Sequence, residues 1–571
     1  MTSYYFSVEN PQQQYIRIKA VLEVRDKITF LQFPAWRPGR YEMGNFAKNV
    51  RSFNVFDKNG KKVAFHKTAK DVWECQTAHL EEIHVYYSFY AHELNSGSTF
   101  LSEDMLYVNP ANCCVYIKGR ETEPCEMNLD IPKKWKYAGA IKNIDNKLSA
   151  KDFHELADCP FICTESILHE TYKVGEVLFH VWMRGCVKAN WEKLIPDFKA
   201  FTEKQIEKFG EFPVDEYHFL IHVSPTRAYH GVEHLSSTVI TIGPGVELYD
   251  SVYDELLGVC SHELYHAWNV KSIRPIEMFP YDYSKESYSP LGYLCEGVTT
   301  YMGDLFLYQS KVFSTHQYTL EIEKLLHKHF DNYGRFNYSV AQSSFDTWLD
   351  GYEAGVPGRK VSIYTEGALI AFMTDVFIMK ATGNKRCLHD VMKSLYYNYY
   401  LKNKGVSEAD YQKEIENIAG ISFEEIEKNF IHGITSFETS LVDALSYLGF
   451  KLDMKPTHSI SHAQWGMKAV KNHHDLWEVK TIYPGSTVDV IGLMIGDKIL
   501  AINSLFIEGE LDKWIHHFCD ETIVLTVVRD GKLIEKTLPQ LNKNYYLDYT
   551  ISRYEKTSAL QQRAFEKWSG N

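Results

Sequence analysis

The residues best suited to chemistry lie in Cys260–Val270, CSHELYHAWNV. Within this stretch His262, Glu263 and His266 form His-Glu-x-x-His. On an α-helix, residues four apart share one face, so both imidazoles reach a single ion. Glu263 leans toward the same space, where a carboxylate can polarise a water without occupying the metal. That is the arrangement of a zinc hydrolase. The pattern alone is weak, and its surroundings strengthen it. Asp254–Cys260, DELLGVC, puts apolar residues beside the motif, as a buried helix requires. Downstream, Leu294–Asp304, LCEGVTTYMGD, supplies acids for a third ligand.

Such a site needs a scaffold, and the chain is long enough for several. Its 571 residues exceed one core and predict three or four domains. With 45% hydrophobic and 14% aromatic residues it is globular. A net charge of −13 argues against non-specific binding to nucleic acid or an anionic membrane. The start, MTSYYFS, lacks a basic segment followed by an apolar run, and no stretch of about 18 apolar residues occurs. The 11 cysteines are scattered, as for reduced thiols. The expectation is a cytoplasmic protein, with neither nucleic acid nor membrane as partner.

Residues 1–165 read as β. Ile16, Ile18, Ala20 and Leu22 alternate with Arg17, Lys19, Val21 and Glu23. Asn59-Gly60 marks a hairpin. Between strands lies an aromatic, proline-rich loop, Pro34–Tyr41 (PAWRPGRY), which could line a cleft or serve as a crossover. From 166 the spacing predicts a strand over 174–183, a helix over 190–209, and strands over 218–223 and 239–242. Glu233 falls between the short strands, on a cleft edge or in a solvated loop. Past Glu296 the chain turns helical, over 299–309, 319–329, 367–381 and 388–399. Ser407-x-x-Asp410 and Ser422-x-x-Glu425 read as further helix starts. Gly351–Gly358 reads as an exposed loop. A separate small domain spans 455–540, and 541–571 is a polar tail, read as a helix packed back on the body.

Taken together, these stretches resemble the PDZ-containing glycyl aminopeptidase family, gluzincin metallopeptidases related to aminopeptidase N. His262–Pro275 (HELYHAWNVKSIRP) looks like that family's active-site helix and loop. Pro34–Tyr41 is similar to its Pro-x-Trp-x-Pro-Gly motif, and Gly231-Val232-Glu233-His234 to its Gly-Leu-Glu-His element. Glu296-Gly297 matches the third-ligand motif, Tyr364-Thr365-Glu366-Gly367 the tyrosine motif, and 483–503 a PDZ element. Three positions depart from the pattern. His230 stands where glycine is frequent, Glu366 replaces a lysine and alters the charge beside Tyr364, and Ser272 replaces a basic residue.

The resemblance implies a multidomain α+β chain: an N-terminal β-sandwich (1–165), a thermolysin-like catalytic domain with a helical continuation (166–450), a PDZ domain (455–540) and a tail. It implies one zinc ion per chain on His262, His266 and Glu296, with Glu263 as general base and Tyr364 as oxyanion donor. Glu233 would anchor the substrate ammonium, and the backbone at Gly231 would run beside the peptide. The implied reaction removes N-terminal glycine or alanine from peptides with a free N-terminus. Trp465–Lys468 is a poor carboxylate-binding loop, so a C-terminal peptide at the PDZ domain and a purely structural role stand side by side. The rival functions are a zinc endopeptidase that holds substrate tails with its PDZ domain, and a non-enzymatic PDZ adaptor.

Overall fold

The computed structural model describes residues 1–353, 355–539 and 543–570. It divides into two compact units. The first comprises Met1–Ser314, Ser344–Ala354 and Ile378–Phe423; the second comprises Thr315–Ser343, Gly355–Phe377 and Glu424–Asn571.

The first unit begins with a β-rich domain. A seven-stranded sheet runs in the order Asn143–Ile144, Lys147–Ala150, Cys125–Asp130, Thr2–Ser7, Tyr15–Glu23, Glu82–Tyr90, Val50–Asp57. The alternation in Tyr15–Glu23 sends Ile16, Ile18, Ala20 and Leu22 inward, each 2% exposed or less. They share one core with Leu31 and Phe33, from or next to Ile28–Gln32, and with Trp73 and Cys75 of Val72–Gln76, strands of a second, four-stranded sheet. The Asn59-Gly60 hairpin forms, with Gly60 at φ +80° and its N–H donating to the Asp57 carbonyl.

The sheet that carries the site has five strands, ordered Leu168–Val174, Val177–Gly185, Glu216–Val223, Ser237–Gly243, Ala228–Glu233. The three inner strands are parallel, and each outer strand is antiparallel to its neighbour. The strand expected over 174–183 is present as Val177–Gly185; Gly175, at φ +57°, turns the chain into it from a preceding strand, Leu168–Val174. Glu233 is not in a solvated loop. It ends the edge strand and is 4% exposed. Asn190 caps the helix Trp191–Phe209, and Gly210 ends it in the left-handed conformation.

The helical region contributes to both units. Thr299–Gln309 and Leu388–Asn398 appear close to the expected bounds, and Ser407 with Asp410 makes a capping box for Glu408–Ala419. The next helix begins at Glu424, two residues after Ser422, whose hydroxyl donates to Glu416 Oε1 at 3.3 Å. Within the loop 351–358, Gly351, Tyr352 and Glu353 are exposed and Ala354 lies outside the described residues.

In the second unit, residues 467–537 form a six-stranded sheet over a core of its own that includes Trp465, Met467, Val479, Ile499, Leu525 and Val527. Two short helices, Thr487–Val490 and Leu511–His517, belong to this segment. The boundary at 540/541 falls outside the described residues. The tail is more structured than its polar composition suggested. Leu547–Arg553 pairs with Phe450–Pro456, and Ala559–Ser569 is a helix with a Ser558/Gln561 capping box. Among the described residues, no helix is long and apolar enough to cross a membrane, and no disulfide links the cysteines.

Candidate metal centre

The His-Glu helix, Tyr253–Tyr265, is held from two sides. Leu256, Leu257, Val259, Cys260 and Leu264 are buried. A Cβ on Gly303 would stand 3.1 Å from the backbone of His262, so glycine lets the helix Thr299–Gln309 approach closely. Ser261 Oγ donates to the Gly303 carbonyl at 2.7 Å, and Gln205 donates to Ser261 at 2.9 Å. These bonds fix the rotation of the helix and therefore the direction in which both histidines face.

The third acid reaches the same point through a local irregularity. Tyr293–Val298 is a π-helical turn leading directly into Thr299–Gln309. The wider turn frees carbonyls from the regular ladder. Asn269, just past the second histidine, takes them up: its Nδ2 donates to the Leu294 carbonyl at 2.8 Å and to Thr299 Oγ1 at 3.0 Å. One side chain thus ties the loop after His266 to the turn that carries Glu296.

The result is a compact donor triangle. His262 Nε2 and His266 Nε2 are 3.0 Å apart, and they lie 3.6 and 3.3 Å from Glu296 Oε2. Donors bound about 2.05 Å from a tetrahedral ion stand about 3.3 Å from one another, so the triangle fits zinc. The ring planes differ by 85°, which lets both lone pairs converge. His266 Nδ1 pairs with the Asn269 carbonyl at 2.6 Å. A carbonyl only accepts, so Nδ1 carries a proton and Nε2 is the nitrogen turned toward the ion's position.

The electrostatics call for a cation here. Glu233, Glu263 and Glu296 are 4, 5 and 3% exposed. Glu233, Glu263 and His266 have ligand atoms within 4.8 Å of one another. Burial disfavours charge on His266, yet Glu296 and Glu233 overcome it and push its pKa up to about 10. Burial raises the Glu263 carboxyl well above its ordinary range, and neighbouring Glu233 adds to this. Burial likewise raises Glu233. Glu263 Oε2 and Glu233 Oε1 are buried without a hydrogen-bond partner. Both oxygens thus keep acceptor capacity that no described residue takes up.

Gly231 has a steric role at this point. A Cβ there would lie 2.0 Å from Glu263 Oε1, so the carboxylate lies where any other side chain would start. The sequence stretch that carries Gly231 and Glu233 is therefore one wall of the site. His230, next along the strand, is half-buried and its pKa is lowered to about 4 by burial and by Arg37 and Arg40. Ser272 is a buried hydroxyl that donates to the Ala267 carbonyl, closing the loop after the helix.

Six of the seven expected site residues meet in the first unit. Tyr364 belongs to the second, where it stands at the start of the helix Ile363–Ala381 and is 36% exposed. The acid at 366 does not remain an open charge beside it. Glu366 is 2% exposed and pairs with His329 Nδ1 at 2.7 Å.

One residue escaped the sequence reading. Tyr41 is 5% exposed and its phenol donates to Glu296 Oε1 at 2.8 Å. The carboxylate therefore presents one oxygen to the histidines and the other to a residue 255 positions earlier. The proline-rich loop was visible in the sequence, but nothing local signals which side chain in it reaches the ligand.

A second set of donors has the same composition. His180 and His218 are paired across two parallel strands, with Glu216 on the same strand as His218. Their rings are stacked 4.3 Å apart at 2°. A metal lies in the plane of each ligating ring, and two parallel planes this far apart share no such position. Trp182 also donates to His218 Nδ1 at 3.2 Å, which leaves the proton on Nε2.

Residues 3–165 match the Peptidase M61 N-terminal domain, and residues 255–370 match the M61 glycyl aminopeptidase family. A crystal structure of an aminopeptidase N family protein from Idiomarina loihiensis superposes on the chain with a TM-score of 0.90 at 23% identity, covering 100% of both chains. That likeness establishes the fold. M1 zinc metallopeptidase structures from Deinococcus radiodurans, one with a Tyr-Ser-Ala substrate bound, align at a TM-score of 0.48 and 13% identity, over 76% of this chain and 94% of theirs. No curated protein matches the chain.

Proposed function

We propose, for a chain that belongs to the M61 glycyl aminopeptidase family, that it is a zinc aminopeptidase removing small N-terminal residues, glycine or alanine, from peptides. Peptidase chemistry comes with the family; the metal, the exopeptidase action and the residue roles are our reading. The observation that carries it is Glu233, a buried carboxylate beside the donor triangle with one oxygen unpartnered. An internal peptide bond offers that oxygen only a neutral amide. A free N-terminus offers an ammonium, and a charge-assisted bond in a water-poor cleft is much the stronger.

His262, His266 and Glu296 would hold one zinc ion, which when bound supplies a Lewis acid and a water of lowered pKa. Glu263 accepts the proton of the attacking water at Oε2 and returns it to the departing amine. Its burial raises its proton affinity, which suits a base that must also act as an acid. Glu233 fixes the substrate's first residue, so that the bond presented for cleavage is always the first. Gly231 lets the peptide backbone and Glu263 share the edge of the sheet. From the resemblance alone we assign Tyr364 a hydrogen bond to the oxyanion; Tyr364→Phe is expected to lower kcat by about 100- to 1,000-fold with a smaller change in KM.

The division into 1–165, 166–450, 455–540 and tail belongs to this reading, with a β-sandwich first and a thermolysin-like fold around the metal centre. We read 455–540 as PDZ-like, supported by its own core and short helices. Its strand Met467–Lys471 is at one end of the sheet order, where a C-terminal peptide could add a strand. Gly466 just before it faces Ser486 and Tyr545 closely, which favours a structural module.

The test is hydrolysis of glycyl- and alanyl-p-nitroanilide beside the same compounds with blocked amines, with and without a chelator. Chelator-sensitive release from the free-amine substrates alone is expected. Equal release from blocked substrates would make the protein an endopeptidase, and no release from zinc-loaded protein would leave a narrower specificity or a PDZ adaptor.

A further inference from the structure

We propose that Gly39–Tyr41, a segment of the N-terminal β-rich domain, is the wall of the pocket that receives the substrate's first side chain, and that Tyr41 determines how large that side chain can be. The inference rests on the aminopeptidase reading above, because it takes Glu233 as the ammonium anchor.

In an α-amino acid, one Cα separates the amine from the carbonyl carbon. With the amine on Glu233 and the carbonyl beside the donor triangle, that Cα lies between Glu233 and Glu296. The segment 39–41 touches both carboxylates. A Cβ on Gly39 would be 2.9 Å from Glu233 Oε2 and 2.8 Å from Val232 Cγ1. Two residues on, the Tyr41 phenol donates to Glu296 Oε1 at 2.8 Å. Whatever projects from the substrate Cα toward this side meets the segment at once.

The wall is also immobile. Trp36 Nε1 donates to the Asp282 carbonyl at 2.6 Å, and the Trp36 and Tyr41 rings pack edge-on against Trp348 at 5.1 and 6.2 Å. The Tyr41 N–H donates to the Tyr352 phenol at 3.2 Å, and the Arg40 guanidinium lies over the Tyr352 ring at 4.5 Å. Arg37 is 4% exposed and donates to the Gly97 carbonyl at 2.9 Å. A segment fixed at four points does not recede to admit a leucine. Gly39 itself sits at φ +90°, a conformation that favours glycine, and has no room for a side chain. A substrate side chain no larger than a methyl group is expected to be accepted here. Tyr41 also acts as a positioning residue, since its bond to Oε1 turns Oε2 of Glu296 toward the histidines.

The experiment measures dissociation constants of glycine hydroxamate and leucine hydroxamate on zinc-loaded, full-length protein by calorimetry. This requires no turnover, so a failure of the aminopeptidase reading, seen as inactivity on free-amine anilides, is distinguishable from a failure of the wall. Wild type is expected to favour the glycine compound. Tyr41→Ala shifts the ratio toward leucine by about tenfold or more, the scale set by a few methylenes in a pocket. Tyr41→Leu, which keeps an apolar filler if alanine unfolds the loop, shifts it in the same direction. Tyr41→Phe keeps the wild-type ratio but weakens zinc binding by about 10- to 100-fold in chelator competition, because only the bond to Glu296 is lost. A wild-type ratio in both Tyr41→Ala and Tyr41→Leu would overturn the proposal.

Discussion

Two clusters among the described residues contain two histidines and one glutamate, and only one of them turns its donors toward a common point. In the helical cluster, His262 and His266 present Nε2 atoms 3.0 Å apart from rings crossed at 85°. In the sheet cluster, His180 and His218 are stacked at 2°. The backbone explains the contrast. Four residues along a helix bring side chains to one face from different heights, so their rings can turn inward on a common point. Adjacent positions on paired strands project side by side, and flat rings relieve crowding by stacking. The surroundings differ in sign as well. Three buried carboxylates raise His266 to about 10, whereas burial lowers His218 to about 3. Glu296 is buried in the first cluster, while the Glu216 side chain is 61% exposed in the second. Donor type and count therefore do not define a metal centre; the direction of the lone pairs and the local charge do.

The sharpest way to break this contrast is to remove the acid from each cluster. Glu296→Ala is expected to release zinc and abolish turnover, and Glu216→Ala to change neither; metal analysis after dialysis decides, and zinc retained by the first variant would point to another acid, such as Glu277 or Glu286. Glu263→Gln comes next. It keeps zinc and lowers kcat by about 10²- to 10⁴-fold, the usual range for a lost general base, and an active zinc-loaded variant would remove Glu263 from that role. Gly231→Ala forces the Glu263 carboxylate aside, since the new Cβ would be 2.0 Å from Oε1. A displacement of this size costs about 100-fold in kcat, with zinc content unchanged.

The smallest expected effect concerns the sheet cluster. His218 is held neutral by burial, with its pKa lowered from 6.5 to about 3. Between those values the unfolded chain binds a proton that the folded chain refuses. The stability contributed is complete above pH 6.5 and is lost as pH falls toward 3. His218→Phe, which keeps a flat ring, flattens that part of the profile in urea unfolding at pH 7 and pH 5. An unchanged slope would show that His218 is not held neutral.

Much of the fold and most of the site were legible in the residues. Period-two alternation located Tyr15–Glu23, and Asn59-Gly60 located its hairpin, because these signals act within a few residues. His262, Glu263 and His266 were recognisable for the same reason: a helix converts spacing into direction. Segments whose partners lie far away were harder to read. Leu547–Arg553 looked like a polar tail because it is a strand only by virtue of pairing with Phe450–Pro456. The strand Leu168–Val174 before the turn at Gly175 was not read either, since it is held by pairing with Val177–Gly185.

The sequence by itself determined the donor types, the helix that aligns two of them and the carboxylate between them, since bond geometry and helical pitch fix these locally. Tertiary structure alone decided that a π-helical turn brings in Glu296, that Gly231 makes room for Glu263 and that Tyr41 donates to Glu296. It also decided that His180 and His218, with the same chemistry on offer, face each other rather than an ion. Those outcomes depend on packing between segments tens to hundreds of residues apart, and no local rule of spacing carries that information.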